Sequence, residues 1–302
     1  MKIDENTKFE EAARAWLAIK KLEVKENTFE ESYRRTVEKI LSPRLDGLAL
    51  GDITRDTQTE LFSYLAETYC DSTLRKCVIV LNAIFAEAVY QGANLKALPP
   101  IKVKSKKPPI TKRTYTVEQV EEVEKYCKVH KYGLSVYLML ELGLRCSEML
   151  GLKWEDIDFE NNIVHIQRAC VSVKGRAALG GTKTGTSNRQ LPISTACKNY
   201  LYEMFLIRNE SCFVVNVGKT LMTPANYTKN RYNIFFRDAF KECGIIRRSP
   251  HELRHTCGTL LYNKTGDLYA VSKYMGHSSM EITARYYVHS DVEVLRKHLG
   301  IE

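Results

Sequence analysis

Between Ser249 and Thr256 the chain reads SPHELRHT, which joins a helix start to two side chains able to hold an anion. Ser249, Pro250 and Glu252 stand where an N-cap, a first and a third helical residue belong, the pattern of a capping box opened by proline. His251 and Arg254 are three residues apart, on one face of that helix and within a turn of its end. Unpaired backbone N–H groups and the positive end of the helix dipole collect there, so an oxyanion is a natural guest. Four further stretches carry polar residues out of place. Arg145 and Glu148 interrupt the apolar run LGLRCSEMLGL; a part-buried guanidinium there needs a partner, and its planar fork suits two oxygens of a phosphate. Lys183 falls near the tip of a glycine-flanked hairpin in GGTKTGTSNRQLPI, His277 follows a glycine in YMGHSS, and ITARYYVHS holds Tyr286, Tyr287 and His289. Taken singly, each has a bland explanation: a surface ion pair, a solvent-facing lysine, a structural loop histidine, a packed tyrosine.

Two halves of different character must position these groups. The chain has 302 residues, 44% hydrophobic and 27% charged, room for two domains with cores of their own. Upstream the periodicity is helical: Phe9, Ala12, Ala13, Trp16 and Leu17 form one stripe. Thr28 and Glu31 suggest a capping box for a second helix that Pro43 stops, a third helix is expected over Thr57 to Thr68, and a fourth runs from Leu74 to Val89 until Gly92. Downstream, helices are expected from Val117 to Val129 and from Leu134 to Leu150. A strand, IVHIQRACVSV, follows the Asn161-Asn162 turn, then a hairpin marked by Gly180, Gly181 and Gly185 with RQLPI as its return strand, and helices again beyond Ala196. The expected fold is therefore mainly α with a small antiparallel β-sheet (α+β): a helical domain over residues 1–104, a linker over 105–114 and a second domain over 115–302.

Composition narrows the setting. No apolar run approaches the roughly 20 residues that span a bilayer. The opening MKIDENTKFEEAARAW has acids where a signal peptide has a basic flank, so a cytoplasmic location is expected. Nine cysteines, an odd number without a CxxC pair, suggest neither a disulfide framework nor a zinc ribbon, and read as buried reduced thiols. The formal net charge of +9 clusters in IKVKSKKPPITKR, where Lys102, Lys104, Lys106, Lys107, Lys112 and Arg113 surround two prolines. That segment reads as a solvated linker and as a basic strap along nucleic-acid phosphates, readings that are compatible.

In combination and in this order, the five polar stretches resemble the tyrosine recombinases, the family of phage-type integrases and Xer-like recombinases. The strings that carry the resemblance are GLRCSE, TKTGTSNRQLPI, HELRHT, MGH and YYVH, which cover the second domain almost end to end. The front half resembles the family's core-type DNA-binding domain in helix count and around TFEESYRRTVEKI and LNAIFAEAV. The resemblance implies that Arg145 and Arg254 grip a phosphate, that Lys183 is the general acid for the leaving 5′ oxygen, and that His251 assists proton transfer. It implies that His277 donates a hydrogen bond to the phosphate and that Tyr287 is the nucleophile, with Tyr286 the lesser alternative. Glu148 matches the acidic residue of the first motif and would position Arg145. Leu142 departs from the family's frequent threonine, and the chain opens directly on core-type helices, where many integrases first carry an arm-binding module.

The chemistry so implied is transesterification of a DNA phosphodiester through a 3′-phosphotyrosyl link, with no cofactor and no metal; a GxxxxGK[ST] motif is absent from the sequence. Double-stranded DNA would be the partner and a homotetramer the working form, with accessory excision or host DNA-bending factors as further candidate partners. In the tail, Val292, Leu295 and Leu299 share one helical face, suited equally to packing on their own domain or to exchange with a neighbouring protomer. An integrase of a mobile element is the leading expectation; a Xer-like resolvase of DNA dimers, a type IB topoisomerase and a DNA-binding regulator with a vestigial site are its rivals.

Overall fold

Phe9, Ala12, Ala13 and Trp16 recur at helical spacing, and all four are buried on one face of α1 (Phe9–Glu23). They open the core of the first of two compact units, Met1–Thr111 and Lys112–Glu302. The computed structural model describes residues 3–108, 113–173, 175–181, 188–208, 210–215, 221–277 and 279–287, and of Ile282, Arg285, Tyr286 and Tyr287 the backbone alone. In the first unit α2 (Glu26–Thr28) opens a helical run that passes through wide π turns at Phe29–Arg34 and Val37–Leu41 and ends in α3 (Ser42–Leu45). Two expectations fail here. Thr28 has helical dihedrals and no side-chain cap bond, so the helix starts earlier. Pro43 lies inside the last turn rather than ending the run. The Ser42 N–H already reaches back five residues to Val37 O, and this widened backbone relieves the clash a proline ring makes with the carbonyl four residues behind it. The remaining helices are α4 (Arg55–Thr68) and α5 (Asp71–Tyr90). Thr57 sits in the first turn of α4, its Oγ1 accepting from the Thr54 N–H, so the helix begins two residues before the expected start.

Part of the lysine-rich segment is fastened to this unit. The Ser105 N–H donates to Asp71 Oδ1 at 2.6 Å, Ser105 Oγ to Tyr69 O at 2.8 Å, and the Lys106 N–H to Ala66 O at 3.0 Å. Ile101 and Val103 pack against the helical core. The stretch expected as a linker from residue 105 is thus hydrogen-bonded to this unit through Lys106, and residues 109–112, with Lys112 among them, lie outside the described residues.

The second unit begins with α6 (Val117–Val129), α7 (Gly133–Glu141) and α8 (Cys146–Gly151). The single helix expected from Leu134 to Leu150 is therefore two, broken where Gly143 takes φ +58°. A Cβ on Gly143 would stand 2.9 Å from Met275 Sδ and 3.1 Å from Cys257 Sγ, so both the turn and the packing need glycine. Next come β1 (Ile157–Asp158), β2 (Ile163–Ile166), β3 (Arg168–Val173), β4 (Arg176–Gly181) and β5 (Arg189–Pro192). They form two antiparallel sheets, β1-β2-β5 and β3-β4. The strand expected as one piece is split at Gln167, because buried Asp156 accepts from Gln167 Nε2 and Arg168 Nη1, both at 2.9 Å, and turns the chain between sheets. The hairpin is β3–β4, with Gly175 in its turn, and Arg189–Pro192 returns to β2 rather than to Gly180-Gly181. Lys183, expected at a hairpin tip, belongs to the connection between β4 and β5 and lies outside the described residues.

Helices complete the unit: α9 (Thr195–Leu206), α10 (Pro224–Tyr227) continuing through a π turn into α11 (Asn233–Cys243), α12 (Pro250–Thr265), α13 (Leu268–Met275) and α14 (Met280–Tyr287). The mainly α architecture with small antiparallel sheets agrees with expectation. The buried core gathers around Leu138, Met139, Leu140, Leu191, Phe235 and Leu253, which places α12 against α7. Among the described residues no helix is long and apolar enough to cross a membrane. All nine cysteines are free thiols; Cys70, Cys212 and Cys243 are exposed, a correction to the expectation of burial throughout.

Candidate active site

SPHELRHT folds as its sequence demands. Ser249 caps α12: its Oγ accepts from the Glu252 N–H at 3.3 Å, while Glu252 Oε2 accepts from the Ser249 N–H at 2.7 Å. The other Glu252 oxygen accepts from the Arg113 N–H at 3.2 Å, and Thr256 Oγ1 accepts from the Tyr115 N–H at 3.1 Å, so the start of this unit is stapled to α12. His251 is exposed in the first turn, its ring edge-on to buried His255 with centroids 4.7 Å apart. Arg254, one turn further, is only 2% exposed.

The centre of the site is Glu148, also 2% exposed. The break at Gly143 makes Arg145 the N-cap of α8 and Glu148 its third residue, so Glu148 Oε2 accepts the Arg145 N–H at 3.0 Å and Oε1 accepts Arg145 Nη1 at 2.5 Å. Arg189, on β5, approaches the same carboxylate with both prongs, Nη1 to Oε1 at 3.1 Å and Nη2 to Oε2 at 3.0 Å. Arg254 Nη1 lies 4.0 Å from Oε2. Burial works to raise the Glu148 carboxyl, but the Arg189 hydrogen bonds and the charges of Arg189, Arg145 and Arg254 hold it below its usual value. One carboxylate thus stands among three guanidinium groups, leaving a local excess of positive charge suited to an anion.

The same three arginines bind three successive carbonyl oxygens at the end of α13. Arg189 Nε donates to Tyr274 O at 2.8 Å, Arg254 Nη2 donates to Met275 O, and Arg145 Nη2 donates to Gly276 O at 2.9 Å. Helix C-terminal carbonyls lack intrahelical partners and carry the negative end of the dipole, so cations belong there. Arg254 Nη1 also donates to Gly143 O at 2.5 Å, which fixes the plane of its guanidinium. Gly276, at φ +61°, turns the chain out of α13 and delivers His277. The His277 Nδ1 pairs with Thr283 Oγ1 on α14 at 2.8 Å.

Burial, reinforced by the charges of Arg254, Arg145, His251 and Arg189, lowers the His277 imidazole from 6.5 to about 4, so it is neutral at physiological pH. Between those two values an unfolded chain binds a proton that the folded chain refuses. The native state therefore keeps this contribution above pH 6.5 and loses it as pH falls toward about 4. Thermal melts from about pH 7 to about 4.5 are expected to show a decline that His277→Gln lessens by on the order of 1–2 kcal/mol, after discounting for solvent screening of a part-exposed ring. A variant that declines as steeply as the wild type contradicts this.

Of the residues singled out in the sequence, Arg145, Glu148, Arg254 and His277 come together, with His251 close enough to act on His277. Tyr286 and Tyr287 are the last two residues of α14, which packs on α12 and α13. Sequence reasoning missed Arg189 as a site residue, although it lies in the motif string SNRQLPI. A signal exists: period-2 alternation puts it on the same face of β5 as buried Leu191. Thr283 was missed as well, and the sequence offers no sign of it. Among the described residues no three His, Cys, Asp or Glu side chains gather as metal ligands.

Known proteins share this architecture. The chain is 29% identical over 195 residues to a XerC-like tyrosine recombinase of Caldanaerobacter subterraneus, covering 58% of this chain and 50% of that protein. It is 26% identical over 250 residues to the ICEBs1 integrase of Bacillus subtilis, covering 78% and 67%. The chain spans about half the length of the first curated relatives it matches. In fold it is similar to the Tn1549 transposon integrase solved with transposon right end DNA, with TM-score 0.79 at 19% identity, covering 96% of this chain and 98% of that one. It is also similar to lambda integrase solved as a tetramer on a Holliday junction, with TM-score 0.67 at 17% identity, covering 94% and 78%. The phage integrase family model matches residues 113–293, the whole stretch that builds the Glu148 centre, and the chain belongs to the phage integrase family.

Proposed function

We propose that the chain is a site-specific DNA recombinase that cleaves and rejoins strands through a 3′-phosphotyrosyl intermediate. The observation that carries this reading is the convergence of Arg145, Arg254 and the His277 turn on Glu148, from elements more than 100 positions apart in sequence. A phosphodiester is an anion that repels nucleophiles, and further charge develops on its oxygens as attack proceeds. Arg145 and Arg254 neutralise that charge, and His251 and His277 donate hydrogen bonds to it, from a preorganised site. The Tyr287 oxygen attacks phosphorus as its proton passes to His251, the bond to the 5′ oxygen breaks and that oxygen leaves with a proton from Lys183, and the phosphotyrosyl bond retains the energy for rejoining to another strand. Glu148 orients Arg145 without touching DNA. The first unit serves as the core-type DNA-binding domain, and Lys102, Lys104, Lys106, Lys107, Lys112 and Arg113 lie along the phosphate backbone. A homotetramer on two duplexes is the working form.

Integration and excision of a mobile element is the role best supported, because the overlap with the ICEBs1 integrase covers more of both chains than the overlap with the XerC-like protein. Dimer resolution uses the same groups and is the second reading.

The test uses nicked genomic fragments of the organism that encodes the chain, from which the nick lets a short strand diffuse away and traps the covalent product. Wild type is expected to yield protein–DNA complexes that survive denaturing gels, and sequencing the trapped DNA defines the substrate. Arg145→Ala suits this test because Arg145 is 34% exposed and buried Glu148 keeps its two-pronged pairing with Arg189 when Arg145 is lost. It is expected to slow trapping by about 100- to 1000-fold with gel-shift affinity nearly unchanged. Trapping at the wild-type rate would remove Arg145 from the phosphate site.

A further inference from the structure

We propose that Arg189 is a positioning residue for strand cleavage, one that keeps Arg145 available to the scissile phosphate; this rests on the recombinase reading above. Arg189 is 6% exposed and has all three guanidinium nitrogens committed, Nη1 and Nη2 to Glu148 and Nε to Tyr274 O, so it acts through its neighbours rather than on DNA. A carboxylate and a guanidinium prefer a two-pronged pairing. At Glu148 that geometry belongs to Arg189, whose Nη1 and Nη2 take one oxygen each. Arg145 spends only Nη1 on the carboxylate side chain, its Nη2 going to Gly276 O. With Arg189 gone, Glu148 would be free to draw both prongs of Arg145 onto itself, turning that fork away from the phosphate and releasing Gly276.

A second contact ties Arg189 to the histidine. Its Nε holds Tyr274 O, the first of the three carbonyls from which the His277 turn springs. At the end of that turn a Cβ on Gly276 would lie 3.1 Å from Arg189 Nη1, so the glycine before His277 answers both a left-handed φ and the close approach of Arg189. Lysine cannot replace this arrangement, since one ammonium has no rigid fork to span two carboxylate oxygens and a carbonyl.

The experiment compares the wild type and Arg189→Lys on the duplex recovered by trapping, in two forms: one with the natural phosphodiester and one with a neutral methylphosphonate at the scissile position. A cation aimed at the phosphate matters less when the phosphate carries no charge. Arg189→Lys is expected to form covalent product about 100-fold more slowly than wild type on the phosphodiester, and within about tenfold of it on the methylphosphonate. Equal rates on the phosphodiester overturn the proposal, and so does a loss of the same size on both substrates, which marks a purely structural role. If Arg189→Lys unfolds, Arg189→Gln, which keeps the Glu148 carboxylate and one amide donor beside it, is assayed below its melting temperature, and the same ratio is expected and read. Failure of the wild type to form any adduct sinks the recombinase reading itself, and this proposal with it.

Discussion

Tyr287→Phe is expected to abolish covalent protein–DNA product, by about 10⁴-fold or more, while leaving gel-shift affinity at its wild-type value. Phenylalanine removes one oxygen and keeps the ring, so binding and packing should survive a change that deletes the proposed nucleophile. Position 287 is one helical turn beyond Thr283, whose hydroxyl pairs with His277, and α14 packs on the helix that carries His251 and Arg254. Tyrosine is a poor nucleophile at neutral pH because its usual pKa is about 10, and a cluster of guanidinium groups favours the phenolate. Tyr286→Phe is the control, expected to trap DNA at the wild-type rate. If the losses are reversed between the two variants, the nucleophile is Tyr286; if both variants trap DNA normally, the phosphotyrosyl mechanism is wrong.

Glu148→Ala is expected to lower unfolding stability by about 3–5 kcal/mol, the cost of leaving a buried charge without its partner. Arg189 would be stranded with its charge uncompensated, and Arg145 and Arg254 would repel it and each other. Urea unfolding measures this as a fall in midpoint at constant slope. Because Glu148 is held below its usual pKa, its stabilising contribution is full above the ordinary carboxylate range and fades as pH drops through the folded value, so the difference between wild type and variant should narrow in acid. A change under about 1 kcal/mol at neutral pH would show that Glu148 does not hold the arginines together.

Local rules are legible wherever neighbours in sequence are neighbours in space. The stripe of Phe9, Ala12, Ala13 and Trp16 and the Ser249–Glu252 capping box can be read directly from residue order, because a helix turn and its cap involve residues three or four apart. The order of the polar strings GLRCSE, HELRHT and MGH points to the family for a related reason: each string is short, and its residue types are unusual for the element that carries it. Arg145, Glu148, Arg254 and His277 are nameable on that basis.

Other features depend on contacts that no local window contains. The break between α7 and α8 sits in an apolar run that reads as continuous helix, and it is imposed by Met275 and Cys257 crowding Gly143 from more than 100 residues away. The division of IVHIQRACVSV between two sheets follows from buried Asp156 recruiting Gln167 and Arg168, and the pairing of β5 with β2 settles what a glycine count could not. Arg189 stands in a motif string without an evident role, since its meaning is the bidentate grip on Glu148 and the hold on Tyr274 O. Sequence alone determined the kinds of groups and the helices that bear them, because residue type and helical period are local properties. Only the tertiary structure decided that three arginines share one carboxylate and cap three consecutive carbonyls, because burial of charge is resolved by whichever partners the fold brings within hydrogen-bond reach.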